Sequence, residues 1–136
     1  MNNITRMQVP EGRRVSHVAE IFGSYFPLQL DPFVYQITEQ LSRDYNGGYW
    51  EFYALSNSGF YMAPSSSKMF RVVSENGYEG DLSADALGIT ACLYAYSHLS
   101  FSRNPEFAQT CAQQYHWLRE YMVEHAEAGN VLRAID

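Results

Sequence analysis

Tyr49-Trp50-Glu51-Phe52-Tyr53-Ala54-Leu55, Ser56-Asn57-Ser58-Gly59, Phe60-Tyr61-Met62-Ala63-Pro64: on this stretch the fold turns. The first run is aromatic and reads as a strand. The Ser-Asn-Ser-Gly segment is turn chemistry. The second run returns as a strand and stops at Pro64, so the whole predicts a β-hairpin. Met69 to Ser74 reads as a third strand. A helix packed on one face would make three such strands stable where a lone hairpin is not.

Helices surround the hairpin. Val15 to Phe22 carries Val15, Val18, Ala19 and Phe22 on one side. Tyr25-Phe26-Pro27-Leu28 is apolar and Pro-broken, and is expected to lie extended. Asp31-Pro32 starts a helix with Val34, Ile37 and Leu41 on one face. Asn46-Gly47-Gly48 is expected to end it. Asn76-Gly77-Tyr78-Glu79-Gly80 reads as a loop. Ser83 caps a helix to about Leu99. That helix is apolar nearly all round and so belongs at the centre of the domain. Asn104 caps a last long helix with Pro105 at its first position. Phe107, Cys111, Tyr115, Leu118, Met122 and His125 form its seam, and Gly129 stops it. Val131 to Ile135 adds one further turn.

The predicted class is therefore α+β. Residues 1–136 form one compact domain, in which a small antiparallel three-stranded sheet (about 49–74) packs against several helices. Two long helices fill the C-terminal half. The arm 1–14, with Arg6, Arg13 and Arg14, is expected to be flexible.

Composition excludes several classes. The chain has 136 residues, with 15 Asp+Glu against 9 Lys+Arg and a formal net charge of -6. That is not the balance of a basic nucleic-acid binder. Apolar residues make up 46% and charged residues 18%, which excludes a disordered acidic tail. The longest apolar stretch, Ala86 to Tyr96, is far short of the ~20 residues that a bilayer span needs. No apolar run follows a charged start in the first twenty residues, so a secretory signal is not expected. The Asn3-Ile4-Thr5 sequon is then a chance match. Cys92 and Cys111 are too few for a disulfide framework and read as small buried hydrophobes, although a bridge between antiparallel helices is geometrically open.

Motifs that would announce an enzyme are missing. There is no G-x-x-x-x-G-K-S/T, no G-x-G-x-x-G after a strand, no G-x-S-x-G and no H-E-x-x-H. Tyr121-Met122-Val123-Glu124-His125 approaches H-x-x-E-H, but a tyrosine stands where a ligand is needed. His17, His98, His116 and His125 do not cluster in sequence. A hydrolase would need folding to bring His98, His116 or His125 to a nucleophile.

The aromatic hairpin admits two readings. Its rings stack on bases or anchor an interface, or they fill the core face of the sheet and cover its back. No Lys or Arg interleaves them between residues 44 and 67, which favours the core. Tyr49 and Tyr61 are the expected exceptions, because a tyrosine tip tolerates water.

Charge is divided unevenly. Residues 1–71 hold six acids and six bases, whereas residues 72–136 hold nine acids and three bases. The whole net charge lies in the second half. Glu106, Gln109, Gln113, Glu120, Glu124 and Glu127 fall on one stripe of the last helix, spread over about 32 Å. Duplex DNA carries a charge every ~1.7 Å. Four carboxylates at that spacing are too sparse to imitate it.

The block from Asp44 to Pro64 resembles the core signature of the ArdB/KlcA antirestriction family. Asn76-Gly77-Tyr78-Glu79-Gly80-Asp81-Leu82-Ser83-Ala84-Asp85-Ala86-Leu87-Gly88-Ile89 resembles its second block, and Tyr25-Phe26-Pro27 a shorter third. The resemblance covers about residues 15–126. It implies a cytoplasmic α+β protein of plasmids and other mobile elements that protects incoming DNA from host type I restriction enzymes. It implies no catalytic residues, no cofactor and no metal. The expectation is a non-enzymatic inhibitor of the type I restriction-modification complex, with weak or no DNA binding. Tyr49, Tyr61, Glu106, Glu120, Glu124 and Glu127 are its candidate contact surface. The alternative is a DNA-binding accessory protein using Arg6, Arg13, Arg14 and Arg43.

Overall fold

The computed structural model describes residues 3–136, so the first two residues of the predicted arm lie outside the described residues. Strand β1 (Arg6–Gln8) leads through a 3-10 turn (Glu11–Arg13) into helix α1 (Arg14–Phe22). A π-helical turn (Phe26–Leu30) runs directly into α2 (Asp31–Leu41). Strands β2 (Trp50–Leu55), β3 (Phe60–Pro64), β4 (Met69–Val73) and β5 (Glu79–Ser83) follow. Helices α3 (Ala84–Leu99), α4 (Pro105–Met122) and α5 (Ala128–Ile135) complete the chain.

The α+β class and the hairpin are as predicted. Phe52 pairs with Met62 and Tyr53 with Tyr61. The Ser56–Gly59 turn closes with Leu55 N–H donating to the Gly59 carbonyl at 2.9 Å. Ser58 takes a positive φ of 80° there. Asn57 accepts from Gly59 N–H and donates to the Trp117 carbonyl at 2.9 Å, which ties the turn to α4.

The third strand of this sheet differs from the expectation. It is β1, in the order β1-β2-β3, with Arg6 opposite Leu55 and Gln8 opposite Tyr53. The predicted strand at Met69 exists but pairs with β5 in a separate two-stranded sheet. The last two residues of the predicted Asn76–Gly80 loop, Glu79 and Gly80, are thus the start of a strand. Gly77, at φ 93°, makes the tight turn between β4 and β5.

Three further boundaries move. The stretch after Tyr25 is a π-helical turn, not extended, because Pro27 sits in its first turn, where no helical N–H is required. Helix α2 ends at Leu41, not at Asn46; Gly47 and Gly48, at φ 94° and 114°, belong to the connection into β2. Helix α4 ends at Met122, so Gly129 lies inside α5 instead of stopping α4.

The caps at Ser83 and Asn104 are as predicted: Ser83 Oγ accepts from Ala86 N–H at 3.1 Å and Asn104 Oδ1 from Phe107 N–H at 2.9 Å. Helix α3 is buried on almost every side and forms the centre of the molecule. It meets β3 at Gly88, where an added Cβ would lie 2.4 Å from Ala63 Cβ. Only a hydrogen fits between that helix and that strand. The hairpin rings do fill the core. Phe60 lies 5.4 Å from Phe52, 5.9 Å from Phe22 and 6.0 Å from Phe26, centroid to centroid. Tyr96, also buried, donates to the Phe60 carbonyl at 2.7 Å.

Candidate functional site

Polar chemistry converges at one place, the N-terminus of α3. Asp85, in the first turn, puts a carboxylate where the helix dipole favours negative charge. Its Oδ1 accepts from Arg6 Nη1 at 2.6 Å and from the Tyr61 hydroxyl at 2.8 Å. Arg6 Nη1 also donates to the Tyr61 oxygen at 2.7 Å. The Arg6 guanidinium lies 4.3 Å over the Tyr53 ring. Tyr53 stacks on Tyr61 at 4.9 Å, and Tyr61 on Tyr121 at 5.8 Å. Strand pairing delivers Arg6 to this position, 79 residues before Asp85 in the chain.

The other side of Asp85 is closed by the turn after α4. His125 Nε2 lies 2.8 Å from Asp85 Oδ2, and His125 Nδ1 accepts the Glu127 backbone N–H at 3.0 Å. An accepting Nδ1 has no proton, so in the neutral ring the proton sits on Nε2 and points at Asp85. Glu127 then reaches back to cap α3: its Oε1 accepts from Ser83 N–H at 2.9 Å and its Oε2 from the Ser83 hydroxyl. In a capping box this carboxylate comes from the third helical residue. Here that position is Ala86, and the acid arrives from 44 residues away.

Charge states follow from these contacts. Burial alone would raise the Asp85 carboxyl; hydrogen bonds from His125 and Tyr61 and the Arg6 charge outweigh it, and hold it below its ordinary range. Burial, with Asp85 beside it, raises the Tyr61 hydroxyl far above the usual tyrosine range. The cluster is thus a carboxylate held ionised by a guanidinium, a neutral phenol and an imidazole. Both His125 nitrogens are engaged, so neither faces a substrate as a general base would have to.

The residues expected to form a contact surface separate. Tyr49 is half exposed and donates to Glu11 at 3.3 Å, beneath the Arg14 guanidinium at 4.7 Å. Tyr61 is fully buried, contrary to the expectation of an exposed tip. Its hydroxyl needs no water because Arg6 and Asp85 satisfy it. Glu106, Glu120 and Glu124 are exposed. Glu127 is not on the α4 stripe at all, because α4 ends five residues before it and its carboxylate is spent on Ser83. His125 likewise leaves the α4 seam for the turn.

The remaining histidines lie against different partners. His17 lies 5.9 Å from Phe60, His98 5.1 Å from Phe33 and His116 5.9 Å from Tyr115. Among the described residues no group of three or more His, Cys, Asp or Glu could hold a metal ion. Cys92 and Cys111 are free and buried, and burial pushes both thiols up to about 12. Of the arginines proposed for DNA, Arg6 is committed to Asp85, and Arg14 pairs with Glu51 at 3.0 Å. No helix among the described residues is long and apolar enough to cross a membrane.

Sequence reading missed the roles of Arg6, Asp85 and Glu127. Ser83 as a cap, with an acid in the following turn, was the one local signal. Nothing near Arg6 marks it as the partner of a residue 79 positions away.

Comparison with known proteins adds what the side chains alone do not say. Residues 43–136 match the family model described as antirestriction protein. Two proteins named antirestriction protein KlcA, both from Escherichia coli, are 36% and 39% identical to the chain. Each alignment covers 98% of this chain, and 95% and 94% of the respective relative. A third relative, the uncharacterized protein YafX of Escherichia coli K12, is 36% identical over 98% of this chain and 88% of its own. A solved structure superposes with a TM-score of 0.90 at 37% identity, covering 98% of this chain and 96% of that one. It comes from work on the KlcA and ArdB proteins that describes a novel fold and antirestriction activity against type I DNA restriction systems in vivo but not in vitro. By family match, near-full-length identity and shared fold, this chain belongs to the antirestriction protein family.

Proposed function

We propose that this protein relieves type I restriction in the cell, and so protects incoming mobile-element DNA, by contact with the restriction machinery and without catalysis. The observation that carries this reading is the 0.90 superposition at 37% identity on a structure from the KlcA and ArdB proteins, which have antirestriction activity against type I systems in vivo. The site chemistry agrees. Where an acid, a histidine and a hydroxyl do meet, at Asp85, His125 and Tyr61, every polar atom is bonded to another within the cluster. Such a network holds parts of the chain together; it does not attack a substrate.

Carboxylate mimicry of DNA is not how the protein acts in this reading. Glu127 is withdrawn into a helix cap and Glu124 lies in the turn after α4, which leaves Glu106 and Glu120 on a helix stripe already too sparse for phosphate spacing. The DNA-binding alternative is weakened in parallel, since Arg6 and Arg14 are occupied by carboxylates of the chain itself.

The test is plating of unmodified phage on a host with a type I system, with and without this protein, beside a matched non-restricting host. Plating should rise on the restricting host only. Equal plating with soluble, folded protein present overturns the reading. Binding to DNA that falls steeply with salt would favour the accessory-protein alternative instead.

A further inference from the structure

A cleft of about 470 Å³ opens between α2, the end of β4 with its turn, and the last turns of α3. Phe33, Ile37, Tyr94 and His98 make its walls, and Glu75 supplies its one full charge. A second hollow, of about 330 Å³, lies on the other side of the Phe33–His98 pair and shares both residues. On the rim stand Phe101, 87% exposed, and Val73, 51% exposed. Phe101 is the most exposed large apolar side chain among the described residues. It sits in the short turn between α3 and α4, where Phe101 N–H donates to the His98 carbonyl at 3.3 Å, so the backbone beneath it is held.

We infer that this cleft and its Phe101 rim are the surface on which a partner protein docks, inserting one large apolar side chain flanked by a lysine or arginine that pairs with Glu75. This rests on the antirestriction reading, and identifies the face of the protein that meets the restriction machinery.

Several observations select that occupant. An apolar hollow beside a projecting aromatic is the shape of a protein interface, where a pocket and a knob are exchanged; central aromatic anchors carry most of the binding energy. A small-molecule site would enclose its aromatics instead of holding one out in water. Charge sets the sign of the partner. No Lys or Arg lines either hollow, and Glu75 lies in the half of the chain that carries the whole net charge of -6. Nucleic acid is disfavoured by the same charge. A second copy in a patch-to-patch two-fold pair is disfavoured too, because neither hollow carries a Lys or Arg that could meet Glu75. An enzyme that handles DNA presents basic surface, and so supplies the required cation.

The test uses the full chain in the phage-plating assay with Phe101→Glu and Glu75→Lys. Val15→Glu is the control, at an 82% exposed position on α1. Circular dichroism and thermal unfolding of each variant report the fold, and analytical ultracentrifugation reports oligomeric state. Because Phe101 and Glu75 are both exposed, their variants should unfold as the wild type does. Expected is loss of restriction relief by about tenfold or more in both, as for hot-spot residues, with relief intact in Val15→Glu. Should Phe101→Glu prove unfolded, Glu75→Lys decides alone. Wild-type relief matched by both folded variants overturns the docking surface and leaves the antirestriction reading standing. No relief from the wild type overturns both. A wild-type dimer that either variant dissociates overturns the partner assignment in favour of a second copy.

Discussion

Strands β3 and β4 are each five residues long, yet every residue of β3 is buried while β4 alternates exposed and buried. Successive side chains of a strand point to opposite faces, so β3 is covered on both sides and β4 on one. The cause on the β3 side is α3, which approaches closely enough at Gly88 to exclude even a methyl group. On the outer face of the β4–β5 pair, Arg71 reaches Glu79 at 3.1 Å and Asp81 at 3.6 Å in open water. A strand that loses both faces to the core must be free of charge, and Phe60-Tyr61-Met62-Ala63-Pro64 is. A strand that keeps one face in water accepts an arginine in its middle. The Phe60–Pro64 part of the hairpin thus records the need to bury one strand on both faces, and a loss of activity on changing it says nothing about a binding surface.

This contrast can be broken most strongly at Trp50. The ring is buried, packs edge-on to Tyr35 at 5.0 Å and donates its indole N–H to the Tyr45 hydroxyl at 2.9 Å. Trp50→Ala should cost about 3–5 kcal/mol in denaturant unfolding. A loss near zero would mean that the hairpin is not held as described. Gly88→Ala comes next, at about 3 kcal/mol, the upper end for overpacking, because the new Cβ meets Ala63 backbone and not a flexible side chain.

Asp85→Asn probes the join between the hairpin sheet and the acidic half. It should cost about 1–2 kcal/mol at neutral pH, after allowance for partial exposure of the site. The same variant isolates a pH dependence. Asp85 ionises below its ordinary 3.8, so the folded state takes up the proton less readily than the unfolded state. Its contribution is fully present above about pH 4 and lost as pH falls through the native value. The stability gap between wild type and Asp85→Asn should therefore narrow on acidification; a gap that widens refutes the assigned charge state. The smallest effect belongs to the exposed ribbon. Arg71→Ala should leave the melting temperature unchanged within scatter, and a clear drop would show that the outer face of β4 is not solvated as it looks.

Legibility followed distance along the chain. The hairpin, the Ser83 and Asn104 caps and the near all-round burial of α3 rest on residues within a few positions of one another, and each was readable. The third strand was not. Arg6-Met7-Gln8 is three residues long and exposed throughout, with no alternation to announce it. Its partners lie 45 to 49 residues downstream, from Gln8 opposite Tyr53 to Arg6 opposite Leu55. The run at Met69 was recognisable as a strand, but its sheet was not, because pairing is decided by what lies opposite. Similarly, the glutamates at three-and-four spacing looked like one stripe only while α4 was assumed to continue. Once it stopped at Met122, Glu127 turned inward.

By itself, then, the sequence determined the α+β class and the aromatic hairpin, since turn chemistry, capping and apolar periodicity act over short range; the family was carried by the resemblance of the Asp44–Pro64 block. Tertiary structure alone decided that the N-terminal arm closes the sheet. It alone brought Arg6, Tyr61, Asp85, His125 and Glu127 together at one helix end, and left Phe101 standing beside an open cleft. Those are long-range encounters, set by which faces remain after the helices have packed, and no local pattern encodes them.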